Sequence, residues 1–367
     1  MTSNVRDQTV LLATGQDEAV VPEVVERGGR RALWVALVVL VLAGAAIVAY
    51  TARVAPGPRI RNPHPPANHA QLAPMGGDWV IVSQFIGPVL LTLVWVVAIR
   101  RSRRERRWTP TLTILVAATL LSLLDPVMNW TVYGAYSPRM LHFPETWAWA
   151  SISPTVEPII GVLGYPLGFL VPAWVTFWIY QRGVAPRRPA ASFVHRRPLL
   201  AVVLIGLVVC TVWDLLMEVG LIRIGAYSYS QVIGPLSLNG GTVRQFPLYE
   251  APFFGIVMVT APLLMWRDDT GRTLANRLAD RWRATRTRPH AGPVAVALAI
   301  MTVVYLAYGA AFAGIRVAHL ANTLARPWPF PTTKVYDPQG DYRRHGEPGP
   351  YMPGVWSGGE SAGTRRP

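Results

Sequence analysis

The sequence predicts an all-α fold, a polytopic membrane helix bundle of about seven transmembrane helices, and three observations carry that expectation. Of its 367 residues 51% are hydrophobic and 15% charged, too apolar and too sparsely charged for an ordinary soluble enzyme. The apolar residues gather in runs long enough to cross a bilayer. The basic residues gather in short blocks between the runs, so the formal net charge of +15 reads as a topology signal and no nucleic-acid partner is expected.

Residues 1–30 are polar and aperiodic, a disordered cytoplasmic tail by composition. The transmembrane domain then occupies 31–316, with apolar runs at 32–50, 79–99, 111–128, 158–180, 198–217, 247–266 and 293–315. Between the first two runs, NPHPPANH holds His64 and His69 among prolines with no third ligand nearby, so a solvated loop is expected there and no metal site.

Charge sets the expected orientation. RRSRRERR at 100–107 carries six arginines, 181–197 five and 267–289 seven, whereas 129–157 has only Arg139 and 218–246 only Arg223 and Arg244. The positive-inside rule puts the N-terminus in the cytoplasm and the C-terminus outside, in a multi-pass protein of the cell membrane. Leu274, Leu278 and Trp282, spaced by four among arginines, predict an amphipathic helix on the cytoplasmic leaflet. Residues 317–367 are rich in proline, glycine and aromatics and are expected to run irregularly over the outer face.

Several chemistries lack their residues. Lys334 is the sole lysine, which removes a Schiff base within any span, and Cys210 the sole cysteine, which removes a disulfide or cysteine-based metal cluster. Histidine clusters of the membrane di-iron type, GxSxG, HExxH, a Walker loop and GxGxxG are absent from the sequence, so no cofactor and no metal are expected.

The unusual residues converge on one side of the membrane. The third run ends in DPVMNW (Asp125, Asn129, Trp130); the following loop holds Tyr133, Tyr136, HFPETW (His142, Trp147) and SPTVEP (Glu157). The fifth run closes in WDLLMEVGLIRIGAYSY, with Trp213, Asp214, Glu218, Arg223, Tyr227 and Tyr229, and the sixth opens with QFPLYE (Gln245, Tyr249, Glu250). Five acids thus come from the ends of four helices. Each piece also has a structural reading: Glu157 and Glu250 as helix starts, Asp125 as a partner of backbone near Pro126, His142 as a loop histidine, and the aromatics as interface anchors.

Asp214 and Glu218 are the hardest to read as structural, because they share one face of a helix at a membrane boundary, where the helix dipole and their mutual repulsion both oppose them. Arg223 is placed to offset them in part. Carboxyls ringed by aromatics suit protonation of a hydroxyl or carbonyl, loss of water and shielding of the resulting cation. Catalytic roles are therefore expected for Asp214, Glu218, Asp125, Glu157 and Glu250. Asn129, Trp130, Tyr133, His142, Trp147, Trp213, Arg223, Tyr227, Tyr229, Gln245 and Tyr249 are expected to bind a lipophilic small-molecule substrate.

At these residues the chain resembles the AveC family of actinobacterial membrane proteins, named for the spiroketal cyclase of avermectin biosynthesis. The resemblance covers residues 79–315, in the order DPVMNW, HFPETW, SPTVEP, WDLLMEVGLIRIGAYSY and QFPLYE. It implies closure of a polyketide dihydroxyketone to a spiroketal with an associated dehydration, while the residues themselves point to acid-catalysed cyclisation or dehydration of a lipophilic substrate through a hemiketal and an oxocarbenium ion, which needs no cofactor. Two rivals use the same acids: a proton-coupled transporter or lipid-binding protein, and a non-catalytic partner in a lipid-modifying complex.

Overall fold

The computed structural model describes residues 78–352 continuously, positions 57 and 60–65, and isolated positions between 35 and 50. The expected tail at 1–30, most of the run at 32–50, His69 and residues 353–367 lie outside the described residues. The compact unit that begins at Ala43 contains every element named below.

Helix α1 spans Trp79–Arg104, starting where Asp78 accepts from Ile81 N and ending among Arg101, Arg103 and Arg104. Acid at the start and base at the end both suit the helix dipole. Helix α2 (Pro110–Leu121) is capped by the Thr109 hydroxyl, with proline at its first position, and passes through a tight turn into α3 (Asp125–Thr131). Helix α4 (Ile159–Trp178) holds Pro166 and Pro172 and continues in wider turns to Val184.

Two longer helices follow the same logic. Helix α5 (Pro198–Arg223) buries Val202, Gly206, Cys210 and Asp214, while Leu200, Leu204, Val208, Val212 and Leu216 form an exposed stripe with the same four-residue spacing. One stripe packs against protein and the other is an apolar face of the kind that meets lipid. Helix α9 (Ala291–Val317) buries Val294, Ala297, Met301, Tyr305, Tyr308 and Phe312 at spacings of three and four.

Among the described residues five helical stretches are long and apolar enough to cross a membrane: Trp79–Arg104, Pro110–Thr131, Ile159–Arg187, Pro198–Arg223 and Ala291–Val317. The run at 247–266 forms two shorter helices, α6 (Glu250–Met258) and α7 (Thr260–Met265), together about 24 Å long at 1.5 Å per residue. The arginine-flanked amphipathic segment forms α8 (Leu274–Arg281), capped by Thr273, with Ala275 and Ala279 buried and Trp282 exposed.

Short antiparallel ribbons join the loops at one end of the bundle. Strand β1 (Gly134–Tyr136) follows α3 and pairs with β2 (Tyr227–Tyr229), which follows α5. Strand β3 (Gln231–Val232) pairs with β6 (Thr323–Leu324), and β4 (Ser237–Leu238) with β5 (Phe246–Pro247). The C-terminal segment packs Trp328, Phe330, Tyr336 and Tyr342 with Tyr133 and Ala135, while Tyr342 donates to the carbonyls of Ser230 and Ala325.

Candidate active site

The two ends of the β1–β2 ribbon are tied to helix ends that carry acids, and that tie assembles the site. Asp125 opens α3 and is buried, as are the α3 residues Met128 and Asn129. Asn129 Nδ2 donates to Asp125 Oδ2 at 2.9 Å, and Tyr165 on α4 donates to Asp125 Oδ1 at 2.5 Å. Tyr165 also shares a hydrogen bond with Tyr305 on α9. Helix α4 approaches Asp125 closely because Gly161 has no side chain: a methyl group there would sit 3.2 Å from Asp125 Oδ2.

Glu157 lies just before α4, buried, taking a hydrogen bond from the Ser153 hydroxyl at 2.5 Å. Its second oxygen finds no donor among the described residues and faces the Asp125 carboxyl. Burial first, and then the neighbouring Asp125 charge, push the Glu157 carboxyl well above its usual range. A protonated Glu157 donating to Asp125 satisfies both.

The second cluster comes from α5 and α6. One oxygen from each of Asp214, Glu218 and Glu250 lies within 4.8 Å of the other two. Tyr308 on α9 donates to Glu250 Oε1 at 2.8 Å, and Tyr229 on β2 donates to Glu218. Both Asp214 oxygens and Glu250 Oε2 have no donor among the described residues, and the two carboxyls lie against each other. A single shared proton would join them. No arginine forms an ion pair with any of the five acids among the described residues.

Both clusters border a single cavity of about 280 Å³. Asp125, Asn129, Trp213, Glu218, Tyr227, Tyr229 and Glu250 line it, whereas Glu157 and Asp214 stand one contact behind, against Asp125 and Glu250. The remaining wall is largely apolar, with Met128, Met140, Met217, Met258, Phe169 and Phe254. Gly164 and Gly168 on α4 face open space there. Tyr227 donates to Asn129 Oδ1 at 3.2 Å, which links β2 to the first cluster. Burial and the nearby carboxylates hold the Tyr136, Tyr227 and Tyr229 hydroxyls well above their usual range, so they stay neutral donors.

Other residues expected at the site lie elsewhere. Trp130 and Tyr133 stack on the Arg316 guanidinium, 4.2 and 3.8 Å from it, and belong to the C-terminal cluster. Gln245 is buried but bonds the carbonyls of Tyr229 and Thr323, and the Tyr249 hydroxyl accepts from Ile233 N. His142 pairs with the Phe143 carbonyl in the loop, and Trp147 is exposed. Arg223 is exposed and outside the cavity wall. Conversely, Tyr165, Tyr305 and Tyr308 were not singled out from the sequence. The signal available for the last two was their three-residue spacing on one face of α9.

Chemically, the cavity offers proton donors and acceptors in pairs, neutral phenol donors and ring faces for a cation. Oxygens spaced like those of Asp214, Glu218 and Glu250 are also a donor set for a hard divalent cation. The class defined by fold and site is a multi-pass helical membrane protein with an acid-lined, mostly apolar internal pocket. Within that class the chain belongs to the spirocyclase AveC-like family, whose model matches residues 105–336. Family membership implies an enzyme, suggests a spiroketal-forming cyclase and implies a small-molecule polyketide substrate. No curated protein and no solved structure matches the chain.

Proposed function

We propose that the chain is a membrane-embedded acid/base cyclase that closes a lipophilic dihydroxyketone to a spiroketal. The observation that carries this reading is the pairing of carboxyls around an apolar cavity, with no arginine counter-ion among the described residues. In such surroundings a carboxyl can hold a proton and give it up to substrate. The volume, at the small end of the roughly 300–1,000 Å³ common for ligand pockets, suits the reacting segment of a longer molecule.

In this mechanism Glu250, backed by Asp214, protonates the hydroxyl of a hemiketal. The carbon–oxygen bond breaks, water leaves, and the oxocarbenium ion lies against the Glu218 carboxylate and the rings of Tyr305, Tyr308 and Phe254. Asn129 and Tyr227, held by the Asp125–Glu157 pair, orient the second hydroxyl, which attacks the cationic carbon. Its proton restores Glu250, so the net products are spiroketal and one water, and no cofactor is consumed. The arginine blocks sit at the opposite end of the bundle from the cavity, which supports an outward-facing site.

The test uses the full chain in nanodiscs with a synthetic lipophilic dihydroxyketone. Mass spectrometry would follow loss of one water, and chiral chromatography the product's handedness. The expected result is fast conversion to one stereoisomer by the wild type and background conversion by the Glu218→Gln/Glu250→Gln double variant. Equal rates for the two proteins would remove the proposal.

A further inference from the structure

A second cavity, of about 370 Å³, lies at the arginine-rich end of the bundle. Arg101 from the end of α1, Thr111 from the start of α2, Trp174 and Phe177 from α4, and Trp266 and Arg267 just after α7 contribute to its wall. No aspartate or glutamate lines it. Arg267 is half-buried, and no hydrogen bond or ion pair to its guanidinium occurs among the described residues.

Its charged surroundings are unbalanced. Arg107 and Arg101 both act on Arg267, and the Glu105 carboxylate nearby already bridges Arg101 at 2.7 Å and Arg107 at 3.3 Å. Two guanidiniums therefore take up that carboxylate, and Arg267 is left without an ion pair among the described residues. Burial, then this repulsion, lowers the proton affinity of Arg267. A desolvated cation with cationic neighbours and no partner calls for an anion, and a guanidinium fork suits the oxygens of phosphate. The indole and phenyl faces alongside give an apolar flank, and the exposed Trp174 and Trp178 mark the position of a membrane interface.

We propose that this cavity binds a phosphate group through Arg267 and Arg101, carried either by an anionic phospholipid headgroup or by a soluble phosphate. This site is separate from the carboxyl-lined cavity, and its occupancy does not depend on the cyclase reading.

The test is native mass spectrometry of the full chain in nonionic detergent, titrated with phosphatidylglycerol and, separately, phosphatidylcholine. One saturable phosphatidylglycerol per chain is expected. Its affinity should fall roughly tenfold in Arg267→Gln, and also in Arg101→Gln, where the side chain is exposed enough to change without unfolding. The exposed Arg288→Gln should bind as wild type does. Displacement by millimolar inorganic phosphate would identify the soluble source, and resistance to it the lipid. Wild-type affinity in both the Arg267 and Arg101 variants, or equal binding of phosphatidylcholine, would overturn the proposal.

Discussion

Asn129 Nδ2 donates to Asp125 Oδ2 at 2.9 Å, a hydrogen bond between residues one helical turn apart on α3. That bond fixes the amide, so its oxygen points toward the Tyr227 hydroxyl on β2. A short helix and a three-residue ribbon are thereby joined inside the cavity. The same acid is held from the other side by Tyr165, and Tyr165 by Tyr305. Asn129 and Tyr165 reach the carboxylate directly, and β2 and α9 join it through them.

Removing the proton donor should abolish turnover without unfolding the bundle. Glu250→Gln keeps the shape and the Tyr308 bond, and its rate is expected to fall by about 10²–10⁴, the usual worth of a positioned general acid. Asp214→Asn, one contact behind, is expected to be less severe. Turnover per unit of folded protein in nanodiscs checks both. A fully active Glu250→Gln would exclude it as the donor.

Glu157 gives a pH signature. Its carboxyl is raised in the folded chain, so between the ordinary value of 4.5 and the folded value the native state binds more protons than the unfolded state. Its contribution to stability is therefore full below about pH 4.5 and is lost as pH rises toward the folded value. Glu157→Gln mimics the protonated form and is expected to flatten the decline of Tm with rising pH relative to wild type. Identical Tm profiles would show that Glu157 ionises freely.

Filling the cavity should separate activity from stability. Gly164 faces open space, so Gly164→Leu adds a side chain to the pocket without striking a neighbour within 4 Å of its Cβ. Losing a mid-helix glycine favours the helix by roughly 0.5–1 kcal/mol. The expected variant has an unchanged or higher Tm and little turnover. Wild-type turnover would place the reaction elsewhere.

Arg316 locks the C-terminal segment. It lies between the Trp130 and Tyr133 rings and donates to the Trp130 carbonyl and the Tyr336 hydroxyl. Arg316→Ala removes a buried cation–π stack and charge-assisted hydrogen bonds and is expected to cost about 2–4 kcal/mol. Limited proteolysis between 318 and 352 is expected to quicken, and an unchanged cleavage rate would contradict the packing role.

Chelation distinguishes proton chemistry from a cation at the trio. The mechanism above needs no metal, so turnover after dialysis against EDTA is expected to equal that of untreated protein. Loss on chelation with recovery on adding magnesium or manganese would make Asp214, Glu218 and Glu250 a metal site.

The acids are more legible in the sequence than their partners. Asp214 and Glu218 were legible because charge at the end of an apolar run needs a reason, and the four-residue spacing puts both on one face. The pairings Asp125–Glu157 and Asp214–Glu250 were not, since each joins residues from different helix ends. Tyr165, Tyr305 and Tyr308 sit inside spans, where tyrosine reads as packing. Trp130 and Tyr133, expected at the site from the sequence, belong to the C-terminal cluster. Trp130 is about 100° further round α3, and Tyr133, with φ of +61°, turns the chain toward the C-terminal cluster. The interruption at Val259 was hidden because α6 and α7 share one apolar run.

The most direct test of carboxyl-driven ring closure is comparative mass spectrometry of lipophilic metabolites. The native host, its deletion strain, and that strain carrying wild type or Glu218→Gln/Glu250→Gln at matched protein levels would be compared. The account expects the deletion and the double variant to accumulate the same species, one water heavier than the wild-type product. Restoration of the wild-type profile by the double variant would contradict it.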